Sequence, residues 1–188
     1  KKGQGFDTNM SGIVSAYGAG YISATNATVS VPGENNTNVL YRTHVQTYGW
    51  QGWKYNGNMS GTSGESKRLE GIELQLTNQQ YEGDIIYKTH IQTYGWESDW
   101  RYNGNMSGTS GEAKRLEAIQ IELTGEMKQK YDIYYRVHAQ SFGWLGWSKN
   151  GEPAGTAGYG KRLEGIEVVL VPKGENAPGS NQNAYISK

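Results

Sequence analysis

The sequence predicts an all-β chain with pseudo-threefold symmetry, and three observations carry that prediction. One ordered unit of about 47 residues recurs three times, and a period of that size marks a repeat architecture. Within each unit, apolar and polar residues alternate with the period of two that a half-buried strand requires. The composition agrees: 27 Gly, 14 Tyr and 6 Trp stand against 2 Phe and 4 Pro. Glycine supplies the positive φ of tight turns. Tyr and Trp suit pleated, half-buried surfaces and keep a polar edge for a wet one.

The landmarks keep their order in every unit. Tyr41, Tyr87 and Tyr135 lead, followed by His44, His90 and His138, then Trp50, Trp96 and Trp144. Second tryptophans follow at Trp53, Trp100 and Trp147, and an Arg-Leu-Glu triplet ends at Glu70, Glu117 and Glu164. The histidines stand 46 and 48 residues apart and the glutamates 47 and 47. All six Trp and all three His of the chain occupy repeat positions.

Within the first unit a strand is expected over 40–50. Tyr41, Thr43, Val45 and Thr47 share one face, and Leu40, Arg42, His44, Gln46 and Tyr48 the other. Asn-Gly pairs at 56–57, 103–104 and 150–151 predict hairpin turns. Gly-Thr-Ser-Gly at 61–64 and 108–111, and Gly-Thr-Ala-Gly at 155–158, predict a second turn. A closing strand then alternates Ile72, Leu74 and Leu76 against Glu73 and Gln75. Its counterparts are Ile119, Ile121 and Leu123, then Ile166, Val168 and Leu170. No stretch has helical periodicity.

Units this short do not stand as separate domains. One domain is expected over 39–176, with repeats at about 39–78, 85–125 and 133–174. Closure about a pseudo-threefold axis removes sheet edges, as in a β-prism or a β-trefoil. A β-prism-like arrangement is favoured because each unit has two long strands and one short one; the β-trefoil is the alternative. Residues 1–38 are rich in Gly, Asn and Ser, and a strand-like patch at 21–31 could add an edge hairpin. Residues 177–188 form a tail in which only Tyr185 and Ile186 could pack back onto the domain.

Lys plus Arg equals Asp plus Glu at 18 each, so the net charge is zero and the pI is about 7.0. That balance gives no electrostatic case for nucleic acid or an anionic membrane, and no apolar run suits membrane insertion. With no cysteine, disulfides and thiol chemistry are excluded. The chain begins at Lys1 without an initiator Met or a signal peptide, so it reads as a fragment or a processed form.

Candidate sites follow from the repeat positions. A Trp face can stack on a pyranose ring, and polar neighbours can hydrogen-bond its hydroxyls. That nominates Trp50, Trp53, Trp96, Trp100, Trp144 and Trp147, with Gln46, Gln92, Gln140, Asn56, Asn103 and Asn150 and the three histidines, as a glycan-binding set. The competing reading of the first Trp in each pair is core; the second follows a loop of variable length and leans towards exposure. Three weak equivalent sites would gain avidity on a polymeric glycan.

Three symmetry-related His could instead converge on zinc, but no local ligand spacing supports a metal, and no cofactor is expected. Glu70, Glu117 and Glu164 share parity with the apolar face of the closing strand. A partner is therefore expected for each in Arg68, Arg115 or Arg162, or in a histidine. One such Glu per copy does not make the paired acids of a glycosidase, so catalysis is not expected. The third copy departs most, with Phe142, Ala139 and Glu-Pro-Ala where the others have Asn-Met-Ser.

The ordered pattern Tyr-x-x-His-x-Gln-x-x-Gly-Trp, second Trp, Asn-Gly, Gly-Thr-x-Gly and Arg-Leu-Glu resembles the clostridial hydrophobic repeats with tryptophan, the ChW family. The resemblance covers about 39–174 and leaves the first 38 residues outside. It implies a secreted or cell-surface module from Clostridia or related Gram-positive bacteria, joined to other domains of a parent chain. It also implies a role in adhesion to polysaccharide or mucin-type glycans. The alternative is a structural or protein-interaction module of a surface protein.

Overall fold

The computed structural model describes residues 37–188, so the edge hairpin expected earlier in the chain lies outside the described residues. The first repeat contains β1 (Asn38–Val45), β2 (Gly49–Trp50), β3 (Lys54–Tyr55), β4 (Ser60–Gly61) and β5 (Leu69–Thr77). The second contains β6 (Ile85–Ile91), β7 (Gly95–Trp96), β8 (Arg101–Tyr102), β9 (Ser107–Gly108) and β10 (Leu116–Leu123). A short helix α1 (Gly125–Lys130) leads into the third. That repeat contains β11 (Tyr131–Ala139), β12 (Gly143–Trp144), β13 (Ser148–Lys149), β14 (Ala154–Ala157) and β15 (Leu163–Pro172), and β16 (Tyr185–Ser187) follows it.

Alternation in the leading strand sorts the faces as the sequence predicts. Val39, Tyr41, Thr43 and Val45 are completely buried, while Arg42 and His44 are only partly covered. The strand is shorter than expected. Residues 46–48 form a turn, with Thr47 at a φ of 68°, and β2 folds back so that His44 lies opposite Trp50. The buried face of β5 supplies Ile72 and Leu74, and the other repeats add Tyr87, Ile119, Ile121, Tyr135, Ile166 and Val168 to the same core. The helix that the sequence reading did not expect is six residues long, too short to write a helical period; it buries Met127.

Three sheets result, antiparallel except where β16 joins the second in parallel, and each is completed by a neighbouring repeat. The first sheet runs β2–β1–β5–β9, with β3 also beside β1. The second runs β7–β6–β10–β14–β16, and β8 also pairs β6. The third runs β12–β11–β15–β4, and β13 also pairs β11. Repeat one therefore gives its short fourth strand to repeat three, repeat two gives its own to repeat one, and repeat three to repeat two. The exchange closes on itself. Three sheets in a ring, with no closed barrel among the described residues, are the β-prism-like arrangement rather than the trefoil.

The Asn-Gly pairs make this exchange instead of closing hairpins. Asn56 and Gly57 both have positive φ, 41° and 86°, the backbone of a tight primed turn. The turn sends the chain off β3 towards the neighbouring sheet, where Gly57 N–H donates to the Val168 carbonyl at 2.7 Å. Gly104 and Gly151 do the same to Leu74 and Ile121 at 2.6 and 2.7 Å. Farther along, β4 pairs with Gly165 and Ile166. The gap between these two contacts is filled by the Tyr41 hydroxyl, which accepts from Val168 N–H at 3.2 Å and donates to the Asn58 carbonyl. Burial raises the hydroxyl pKa of Tyr41 and Tyr135, and pushes that of Tyr87 up to about 12. No helix among the described residues is long and apolar enough to cross a membrane.

Candidate functional site

Each closing strand carries a β-bulge at its Arg-Leu-Glu triplet. Val45 pairs with Leu69 and His44 with Gly71, leaving Glu70 as the extra residue. Glu117 and Glu164 are the extra residues in the other two ladders. Simple parity put these glutamates on the apolar face. The bulge corrects that reading: Leu69 takes the core position and Glu70 meets the histidine on the other side.

The result is a carboxylate held from both ends. Glu70 Oε1 accepts from Arg68 Nε and Nη2, both at 2.8 Å, and Oε2 lies 3.0 Å from His44 Nδ1. Glu117 and Glu164 hold Arg115 and His90, and Arg162 and His138, at matching distances. The glutamate side chains are only 7–8% exposed, so the pairing offsets a desolvation that an unpaired carboxylate would not survive. The histidine contact is close but does not meet the geometry of a hydrogen bond, which leaves the buried Nδ1 against the carboxylate without a directed bond. Each imidazole stands edge-on to its own tryptophan, with centroids 5.4–5.5 Å apart.

Beside the histidine, towards the open side of the sheet, lies a cation–indole cluster. The Arg42 guanidinium carbon sits 5.0 Å from the Trp50 ring centroid and 4.8 Å from that of Trp53. Its Nε donates to Glu73 Oε2 at 2.6 Å across the β1–β5 ladder. Arg136 repeats this with Trp144, Trp147 and Glu167, at 4.8, 5.0 and 2.7 Å. In repeat two Lys88 replaces the arginine and stacks on Trp100 at 5.0 Å. The facing residue there is Gln120, whose amide donates instead to the Gly151 carbonyl. Guanidinium–indole stacking contributes about 0.5–2 kcal/mol per contact, depending on desolvation.

The comparison with known families bears on these same residues. The family described as Clostridial hydrophobic W matches residues 44–78, 90–125 and 138–172, together more than half of the chain. The chain belongs to the clostridial hydrophobic W family. Each ChW match opens on the repeat histidine and runs to the end of the closing strand, so it spans the indoles, the exchanged strand and the bulge glutamate. No curated protein and no solved structure matches the chain.

The polar residues nominated with the tryptophans have jobs within the ChW fold. Asn56 Oδ1 accepts from Val39 N–H and its Nδ2 donates to Asn38 Oδ1. Asn103 and Asn150 bind Ile85 and Asp84, and Ile133 and Asp132, in the same way. Gln46 and Gln92 accept from the backbone N–H groups of Arg68 and Arg115 beside the bulge, and the Gln140 backbone N–H donates to the Arg162 carbonyl. The three histidines belong to three different sheets, and the described residues bring no three His, Asp or Glu together as a metal site.

Five of the six tryptophans are partly exposed, namely Trp50, Trp53, Trp96, Trp100 and Trp144. Trp147 departs from the expected exposure of the second indole. It is 9% exposed because the segment after β15 lies on it, with Trp147 N–H donating to the Ser180 carbonyl at 2.8 Å. A pocket of about 340 Å³ between that segment and the repeat is lined by Tyr134, Trp147, Lys149, Glu152, Ala177 and Ser180 among others.

Two features were not singled out from the sequence. Arg42, Lys88 and Arg136 share strand parity with the histidines, and that parity was the available signal. Tyr48 and Tyr94, at the hairpin turns, are 56% and 59% exposed. Their hydroxyls donate to Glu65 and Glu112, which raises their pKa values, and Lys67 and Lys114 stand over the rings.

Proposed function

We propose that this domain is a non-catalytic glycan-binding or adhesion module of an extracellular bacterial surface or secreted protein. The observation that carries the reading is a half-open pair of indoles beside a stacked cation in repeats one and two, where Arg42 lies against both Trp50 and Trp53 and Lys88 against Trp100. An indole rim offers apolar surface to the C–H face of a pyranose. Arg42 with Glu73, and Lys88 with Gln120, offer donors and acceptors to its hydroxyls. The sites of repeats one and two are the open ones, since Trp147 is covered. Two weak sites on one rigid body favour a polymeric ligand through effective concentration.

The bulge glutamates support this reading by their confinement. Each is committed to an arginine and a histidine, a framework that holds the indole in place rather than a pair of acids across a cleft. The test is a glycan array probed with the wild-type chain and a Trp53→Ala/Trp100→Ala variant shown to be folded. Saturable binding that the variant loses supports the module. Absence of binding by the wild type refutes it and leaves the clusters as framework of a structural or protein-interaction module.

A further inference from the structure

Repeat three lacks a polar cap that the other two share, and the segment after β15 occupies the place of that cap. In repeat one Gln51 Oε1 accepts from Gly61 N–H at 2.8 Å, on the edge of β4 away from β15, and Thr43 Oγ1 meets Ser60 Oγ at 2.8 Å beside it. In repeat two Glu97 accepts from Gly108 N–H, and Thr89 meets Ser107. The corresponding residues of repeat three are Leu145, Val137 and Ala154, all buried and all without a polar side-chain atom. Gly155 N–H, the equivalent of the Gly61 and Gly108 donors, is satisfied instead by the Ala184 carbonyl at 2.9 Å.

The added strand is matched along its length. β16 lies parallel to β14, with Tyr185 opposite Gly155, Ile186 opposite Thr156 and Ser187 opposite Ala157. Ile186 packs against the core, and Lys188 N–H donates to the Ala157 carbonyl. Upstream, the segment crosses Gly146 so closely that a Cβ there would lie 2.3 Å from the Gln182 carbonyl; nothing approaches Gly52, its counterpart in repeat one. Gly179 lies against the Trp147 indole in the same manner. Residues 172–183 are themselves exposed, and the segment holds to the repeat through 179–182 and β16.

We propose that the β14 edge, with Leu145, Gly146 and Trp147, is a strand-acceptor site for an extended segment of the 177–188 type, and that it takes this segment from a second copy of the chain when its own is displaced. Main-chain bonds to Gly155 and Ala157 supply affinity, and the seat of Ile186 and the glycine track over Gly146 supply selectivity. Repeats one and two refuse such a strand because Gln51 and Glu97 already satisfy the donor it would use. The site leaves the indoles of repeats one and two untouched. Head-to-tail use of it links copies through unlike surfaces.

The trans reaction is read on the full chain, folded intact and then cut at a protease site placed at Gly174–Glu175. A fluorescent peptide of residues 176–188 should exchange into the nicked protein with saturable anisotropy. Leu145→Gln in the protein or Ile186→Asp in the peptide should weaken it at least tenfold. Absence of exchange into nicked protein that stays folded, or equal binding by Leu145→Gln, overturns the proposal. On the uncut chain, Ile186→Asp should speed hydrogen exchange of the Gly155 amide at least tenfold while leaving Gly61 and Gly108 unchanged. Unchanged protection of Gly155 overturns the site whatever becomes of the nicked form.

Discussion

Replacing Tyr41 by Phe removes one oxygen and nothing else, which isolates the hydroxyl that splices two repeats together. The ring stays, so the core keeps its volume and no cavity opens. What is lost is the acceptor for Val168 N–H, a buried donor on β15 with its neighbouring ladder contacts at Gly57 and β4 already fixed. A buried N–H left without a partner costs about 1–3 kcal/mol. The other side of the hydroxyl costs less, because Asn58 is exposed and water can replace the bond to its carbonyl. Tyr41→Phe should therefore destabilise by about 1–3 kcal/mol. That is a substantial part of the 5–15 kcal/mol typical of a domain. Urea unfolding followed by tryptophan fluorescence reads the effect as a lower midpoint at unchanged slope. Tyr87→Phe and Tyr135→Phe, beside Leu74 and Ile121, should behave alike, while Tyr102→Phe, exposed to solvent, should change nothing. A Tyr41→Phe loss below about 0.5 kcal/mol would refute the assignment of the hydroxyl as a ladder member.

Alkali should act through the same residues. Tyr87 is pushed up to about 12 by burial and Tyr41 and Tyr135 are raised further, so above pH 10 the unfolded chain loses phenolic protons that the folded one keeps. The contribution of these three tyrosines should be flat below pH 10 and fall between pH 10 and about 12 by roughly 1.4 kcal/mol per pH unit per buried tyrosine, with the three buried phenols adding their tyrosinate absorbance only as the protein unfolds. Gly61→Ala should cost about 3 kcal/mol or more, because at a φ of 110° its Cβ would lie 2.3 Å from the Glu164 carbonyl. Gly71→Ala should stay within about 1 kcal/mol, since its nearest neighbour would be the Met106 side chain at 3.5 Å and repeat two already carries Ala118 there; thermal midpoints compare the two. Glu117→Gln should lose about 1–3 kcal/mol by removing the charge from a bridge to Arg115 and His90, measured by chemical unfolding.

The strands and their inner faces were legible because a period of two survives triplication unchanged, as Tyr41, Tyr87 and Tyr135 show. The glutamates were misplaced because a bulge inserts one residue without any residue type announcing it; the glycines that follow at 71 and 165 are no signal, since Ala118 stands at that position in repeat two. The Asn-Gly turns were recognised but their use was not. Turn chemistry fixes the backbone angles at Asn56 and Gly57, whereas which strand the chain meets next is decided by the neighbouring repeat. The polar site residues show the same limit. Asn56 and Gln46 look free in a sequence and are spoken for once the turn and the bulge close around them. The cover over Trp147 could not be read from any repeat, since it comes from a segment outside them all.

The ring of borrowed strands also sets how such a chain can lengthen. In an open solenoid each new repeat adds one interface, so copies can accumulate one at a time. Here every unit owes a strand to one neighbour and is owed one by the other, and three units settle every debt. A fourth copy spliced into this chain would have a strand to give and no sheet to receive it. Duplication that preserves folding must then proceed by whole triplets, so arrays of this module should be counted in multiples of three.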